Sequence, residues 1–177
     1  RWAEQARFVN FSRTLHERIR RLGLVSEYVR YFPPPRPESE RADFSKGARA
    51  FFWRRRPAEG LDVALVDCLV GSDLRHLHVH DAPDDPKALP WQPRTPVGRS
   101  YGVSRSTWFP DSADLLALLR RSNIWIAPRE AEGIGLGMLE AMAHGMLVVA
   151  HSRPTHDEYI ADGVNGFLFN RDAPTGL

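Results

Sequence analysis

Cysteine is nearly absent: Cys68 is the one thiol in 177 residues. No internal disulfide can form, and a reducing compartment is the expected setting. Long apolar runs are missing too. Runs such as Met146 to Ala150, at five residues matched but not exceeded by any other, fall far short of the roughly 18 residues a membrane span needs. The first ten residues open on Arg1 rather than Met and lack the apolar core of a secretory signal, so the chain reads as a piece of a longer protein. Glycine and proline, at 13 and 14, are too sparse for a collagen-like or low-complexity chain. With 42% hydrophobic and 26% charged residues, disorder is excluded, and the length suits one domain with one good core.

Charge is present but unevenly spread. The net value is +2, yet residues 1–56 hold fourteen Lys/Arg against six Asp/Glu, and the remainder holds ten against sixteen. The basic third is nearly all arginine. Such asymmetry points to a phosphate-rich ligand, an anionic membrane surface or nucleic acid, with a solvated basic helix as the plain alternative.

Composition separates three segments. Residues 1–32 carry Leu15, Ile19, Leu22 and Val25 at roughly helical spacing on an arginine-rich background, which predicts an amphipathic helix. Pro33, Pro34, Pro35 and Pro37 then open a polar linker or crossing loop that runs to Lys46. From Ala48 onward, short apolar runs alternate with helical ones, the pattern of an α/β domain with a parallel sheet wrapped by helices. Strands are expected at 50–53, 77–80, 124–127, 147–150 and 166–169. Helices are expected at 61–70, 112–119, 139–144 and 157–161, with a loop over most of 81–110 and one possible strand near Tyr101.

The informative stretch is Glu132-Gly-Ile-Gly-Leu-Gly-Met-Leu-Glu140. A strand runs into a glycine-rich loop, and the loop opens a helix. Amides at a helix start are unsatisfied donors at the positive end of the helix dipole, which suits a phosphate or diphosphate. Glu132 in the loop and Glu140 about one turn inside the helix flank that point, and carboxylates accept hydrogen bonds from sugar or ribose hydroxyls. The ligand these features describe is a phosphate with hydroxyl-rich groups on both sides, as in a nucleotide sugar.

The run from Ser122 to Phe169 resembles the carboxy-terminal, donor-binding half of retaining glycosyltransferases with the GT-B fold, of the glycosyl transferases group 1 type. Glu132 and Glu140 match the family's paired glutamates, and Leu139 to Gly145, Glu158-Tyr-Ile160, Gly163, Asn165 and Gly166 also fit. The resemblance implies a Rossmann-like sheet over residues 48–177, cut short at its carboxy end, with 1–35 closing an acceptor domain and 36–47 linking the two. It implies that Glu132 is catalytic and holds hydroxyls of the donor sugar. Glu140 would hold the ribose, the amides of Ile134, Gly135 and Leu136 the diphosphate, and Arg54 the donor phosphates. The implied reaction is sugar transfer to a saccharide or lipid-linked acceptor with retention of configuration, without a metal or other cofactor. The implied place is cytoplasmic, with possible peripheral membrane contact through the basic amino-terminal helix. Glu59 stands where the family has a phosphate-binding lysine. Either Arg55 or Arg56 takes its place, or the site is built differently, or donor binding is impaired; substitution by a neighbouring arginine is the preferred reading.

Rival chemistries are weaker. His76, His78 and His80 alternate along a strand beside Asp81, an array that can bind zinc and would serve a metal-dependent hydrolase, but no second ligand group has matching spacing. Nucleic-acid binding lacks interleaved aromatics or a recognisable module. Cys68 sits in an apolar helical run, poorly placed for a nucleophile. A non-catalytic nucleotide-binding descendant remains the nearest alternative because of Glu59. Arg129 is expected to pair structurally, and Thr155 with Glu158 to form a capping box on their own helix.

Overall fold

A computed structural model describes residues 5–59, 61–70, 73–92 and 101–172. Its centre is a six-stranded, wholly parallel sheet in the order β5-β4-β3-β6-β7-β8. The strands are β3 (Ala48–Trp53), β4 (Leu74–His80), β5 (Gly102–Ser106), β6 (Ile124–Ile126), β7 (Leu147–His151) and β8 (Phe167–Phe169). The helices between them are α2 (Val63–Leu69), α3 (Ser112–Leu119), α4 (Leu136–Ala143) and the short α5 (His156–Tyr159). This is the α/β, Rossmann-like architecture expected from the alternating apolar runs.

The central strands read as unbroken apolar runs because both of their faces are covered. Successive side chains leave opposite faces. Phe51, Trp125, Val148 and Ala150 pack with Leu119 of α3 and Met138, Leu139 and Ala141 of α4. Ala50, Phe52, Ile126 and Val149 pack on the other side with Val63, Val66 and Leu69 of α2. The register pairs Phe51 with Trp125 across β3 and β6, and their rings stack at 5.0 Å. Asp62 and Asp111 cap α2 and α3 by accepting from Val63 N and Ala113 N.

Helix α4 begins three residues earlier than the glycine spacing predicts. Gly135 is its N-cap, in the left-handed region at φ 67°, where a side chain would be strained. Gly137 lies within the first turn. It serves packing there, since a Cβ would stand 3.0 Å from the Trp125 ring.

The amino-terminal segment departs most from expectation. Instead of one long helix, it forms β1 (Arg7–Asn10), α1 (Arg13–Arg21) and β2 (Val25–Tyr28), with the two strands paired in parallel. Val25, read as a helical position, starts a strand. The Glu158 assignment also changes. Thr155 makes no side-chain cap on α5, and its hydroxyl donates to the Glu132 carbonyl instead. The Glu158 carboxylate reaches across the chain to α1, accepting from Arg13 N at 2.8 Å, Ser12 Oγ at 3.2 Å and Tyr28 Oη at 2.9 Å. It therefore caps a helix 145 residues away. The proline-rich stretch is tied down as well: Arg36 N and Ala42 N donate to the carbonyls of Ala143 and His144, satisfying the carboxyl end of α4.

Glu158→Ala should lower unfolding free energy by about 1–2 kcal/mol, the usual cost of losing a cap, and should speed hydrogen exchange at Arg13 and Thr14. Glu158→Gln, which keeps an acceptor, should lose less. Urea titration with amide exchange checks both.

Candidate functional site

Strand β3 pairs with β4 on one edge and β6 on the other, so the order of connection reverses there. Chains leaving the carboxyl ends of β3 and β6 diverge and open a crevice, the usual place for a ligand in such sheets. Trp53 at the end of β3 and Arg55 just beyond it line the crevice, with Ala127, Pro128 and Glu132 after β6. Gly137 and Met138 of α4 and His156 of α5 complete the wall. A broader hollow of about 240 Å³ opens where Arg56, Glu59, Arg129, Glu130 and Ala131 meet. A third cavity, lined by Ala48, Leu74, Ile124 and Leu147, lies at the opposite ends of the strands; its walls are apolar and carry none of the predicted site residues.

Glu132 is held from both backbone directions, since its N–H donates to the Pro154 carbonyl and its own carbonyl accepts from Thr155. Its side chain is only 15% exposed and lies 3.5 Å from an Arg129 nitrogen. Burial pushes its carboxyl above the usual carboxylate range, while Arg129, Arg55 and Arg56 pull it back. Ile134, Gly135 and Leu136 follow directly and lead into α4, whose first amides have no intrahelical acceptor. Glu140 sits half-buried about one turn further along that helix. Among the described residues nothing hydrogen-bonds its carboxylate.

The arginines are distributed differently from expectation. Arg54 does not open onto the crevice with a free guanidinium. It is 6% exposed, and its Nε and Nη2 donate to Asp62 while Nη1 donates to Asp81 and the Leu89 carbonyl. Burial alone would weaken its charge, but the two carboxylates outweigh that and raise its pKa. Asp81 is likewise buried. The Trp91 amide, Arg54 and Arg105 overcome that burial and hold its carboxyl below the usual range. The cations at the crevice are Arg55, Arg56 and Arg129, all gathered on Asp84. Arg55 also lies over the Trp53 ring at 4.5 Å. Glu59 pairs with Arg56 at 2.7 Å, so its carboxylate is neutralised locally. Arg129 is paired, as expected, with both Asp84 and Glu132.

The three strand histidines do share one face of β4, as their spacing predicts. Their ring nitrogens meet serine hydroxyls of β5: His76 Nε2 and His78 Nδ1 both lie 2.7 Å from Ser104 Oγ. His78 Nε2 and His80 Nδ1 lie 2.9 and 2.8 Å from Ser106 Oγ. No group of three metal-ligating side chains stands together among the described residues. Cys68 is exposed on α2.

Asp62 and Asp84 carry no sequence signal, and Asp81, expected beside a histidine metal array, pairs with Arg54 and Arg105 instead; the importance of all three lies in which arginine each holds. Sequence reading also missed Trp125 and His156. Trp125 passes as a core aromatic, and His156 looked like one position of a capping box. Only tertiary packing turns either toward the crevice.

Arg54→Ala should act mainly on the fold, costing about 3–5 kcal/mol because it leaves the buried Asp81, among the described residues, with one remaining cation, Arg105, and no partner on its Oδ1. Arg129→Ala, at a more open site, should cost under about 1 kcal/mol. Urea midpoints separate the two. Acid should also destabilise the chain above the carboxylate range. Burial holds His78, His80, His151 and His156 at about 4, below the ordinary 6.5. Between those values the unfolded state binds more protons than the fold. Stability is therefore full above 6.5 and falls toward pH 4 by about 1.4 kcal/mol per pH unit for each ring, which urea midpoints over that range measure.

Comparison with known proteins bears on the fold. The chain superposes on the apo form of the lipopolysaccharide outer core galactosyltransferase WaaB with a TM-score of 0.57 and 17% identity, covering 94% of this chain and 49% of that one. It therefore spans about half the length of that protein. It superposes on TarM with a TM-score of 0.57 and 17% identity, covering 94% of this chain and 34% of that one. The carboxy-terminal domain of a glycosyl transferase group 1 family protein, LpcC, from Francisella tularensis matches at TM-score 0.50 and 18% identity, covering 81% of this chain and 79% of that one. These likenesses establish the fold as one shared with glycosyltransferases. No curated protein sequence matches the chain. Residues 101–177, which contain the glycine-rich loop and both glutamates, match the family of glycosyl transferases group 1.

Proposed function

We propose that this chain supplies the donor-binding half of a retaining GT-B glycosyltransferase, which moves a sugar from a nucleotide sugar to a saccharide or lipid-linked acceptor. The observation that carries this reading is Glu132, largely buried at the head of the crevice between the arginine cluster and the amino end of α4. Glu132 is the catalytic-site acid that holds sugar hydroxyls. Amides of Ile134, Gly135 and Leu136 take the diphosphate, and Glu140 takes the ribose. Residues 1–35 close the acceptor domain, 36–47 link, and 48–177 bind donor.

In the transfer step, the bond from the anomeric carbon to the diphosphate oxygen breaks while the acceptor hydroxyl bonds to that carbon and passes its proton to the departing diphosphate, on which charge grows. Fixed amides and arginines aimed there hold the added charge on the leaving diphosphate more strongly than the lesser charge of the bound donor, so they favour the transition state. Arg55, Arg56 and Arg129 take this role. Arg54 acts behind them, as a buried positioning group that fixes the turn after β3. Helix α1 adds Arg18, Arg20 and Arg21 near its carboxyl end, with Leu15 and Leu22 exposed, a composition suited to peripheral contact with anionic lipid. A second reading, nucleotide binding without transfer, is favoured by Glu59, which occupies one cation of the cluster.

Isothermal titration with UDP, GDP and ADP should find one that binds. Arg129→Ala should weaken it about tenfold or more, as expected for a lost charge-assisted hydrogen bond, and Glu132→Ala should weaken the corresponding nucleotide sugar more than the bare diphosphate. Absence of binding by all three would overturn the proposal. Sugar transfer by the complete protein distinguishes the second reading, which expects binding with no turnover. Sedimentation with anionic vesicles should be lost on adding salt if α1 makes the lipid contact.

A further inference from the structure

Two polar atoms in the crevice wall are buried and, among the described residues, have no partner: Trp125 Nε1 and His156 Nε2. Trp125 is 4% exposed and His156 fully buried, so both are shielded from bulk solvent. Buried polar atoms are nearly always hydrogen-bonded, because leaving one without a partner forfeits the hydrogen bond it had in water. Both belong to the same small cleft that Glu132, Trp53 and Arg55 line. We infer that Trp125 and His156 form the floor of the sugar subsite and read a single hydroxyl-bearing arm of the transferred glycosyl unit.

The chemistry of the pair defines what it accepts. The Trp125 indole N–H only donates. His156 Nδ1 lies 3.2 Å from the His151 carbonyl, which only accepts, so Nδ1 carries the proton. Burial keeps the ring neutral, and Nε2 is then an acceptor. One donor and one acceptor are the complement of a neutral hydroxyl, which can serve both. A phosphate or carboxylate would satisfy the indole but face the imidazole lone pair. An ammonium would satisfy the imidazole alone. Size narrows the choice further. The cleft holds about 60 Å³, room for roughly two water molecules at about 30 Å³ each. A hydroxyl or hydroxymethyl arm enters, whereas a whole sugar ring stays above, beside Glu132. The inference rests on the donor-binding reading and adds to it the residues that select the sugar.

The test uses the whole 177-residue chain. UDP, GDP and ADP are titrated first, then UDP-glucose, GDP-mannose and ADP-glucose, each beside a set of analogues lacking one sugar hydroxyl. With the wild-type chain, one position of deoxygenation should weaken binding about tenfold or more, the others much less. His156→Phe and Trp125→Phe should each lower the ratio of nucleotide-sugar to nucleoside-diphosphate affinity, and should abolish discrimination at that one position. If a diphosphate binds but every deoxy analogue binds as tightly as its parent, the inference fails and the donor-binding reading stands. It fails in the same way if both folded variants discriminate as the wild type does. If no diphosphate binds, both fall together.

Discussion

The crevice exists because β3 is held between two parallel neighbours whose chains must depart in opposite directions. A gap results at the carboxyl ends of β3 and β6. Everything chemically useful is delivered to that gap by short connections: three residues after β3 bring Arg54, Arg55 and Arg56, and a few after β6 bring Arg129 and Glu132. The backbone around Glu132 is then braced by Pro154 and Thr155, which follow β7. Three adjacent loops thus fix one carboxylate, and the sheet beneath them supplies rigidity that the loops alone would not have.

Charge in the site is organised in two layers. In the inner layer, Arg54 and Asp81 are buried, Asp62 is partly exposed, and the saturated Arg54 guanidinium joins the ends of β3 and β4 to the start of α2. The outer layer, Arg55, Arg56 and Arg129 around Asp84, is partly open. An anion entering the outer layer competes with one carboxylate for several guanidinium groups, a far cheaper exchange than breaking the buried pairs. That difference in exposure, rather than position in the sequence, divides the arginines between building and binding.

Much of this was legible in the residues. Apolar runs located five of the six strands of the main sheet to within a few positions, because a strand covered on both faces leaves a continuous signature; the edge strand β5, exposed along most of its length, showed only as one candidate near Tyr101. The glycine-rich loop and its glutamates stood out for a similar reason: local backbone needs are written locally. What could not be read were long-range pairings. Glu158 has every local mark of a cap for its own helix, yet it caps α1, since the choice depends on what tertiary packing brings near. The β1-α1-β2 unit was hidden because four-residue strands with exposed apolar positions lack a clear period. Arg54, first of three consecutive arginines, could not be told from its neighbours until Asp62 and Asp81 claimed it.

The ladder of histidines and serines between β4 and β5 has its own logic. A serine hydroxyl wedged between two neutral imidazoles gives its proton to one ring and takes one from the other. Because Ser104 and Ser106 share His78, setting the tautomer of that ring sets both hydroxyls, and through them His76 and His80. Three rings and two hydroxyls therefore possess only two collective orientations, every bond pointing toward one end of the strand or every bond toward the other. The edge of the sheet is stitched by a polar thread that reverses as a whole or not at all.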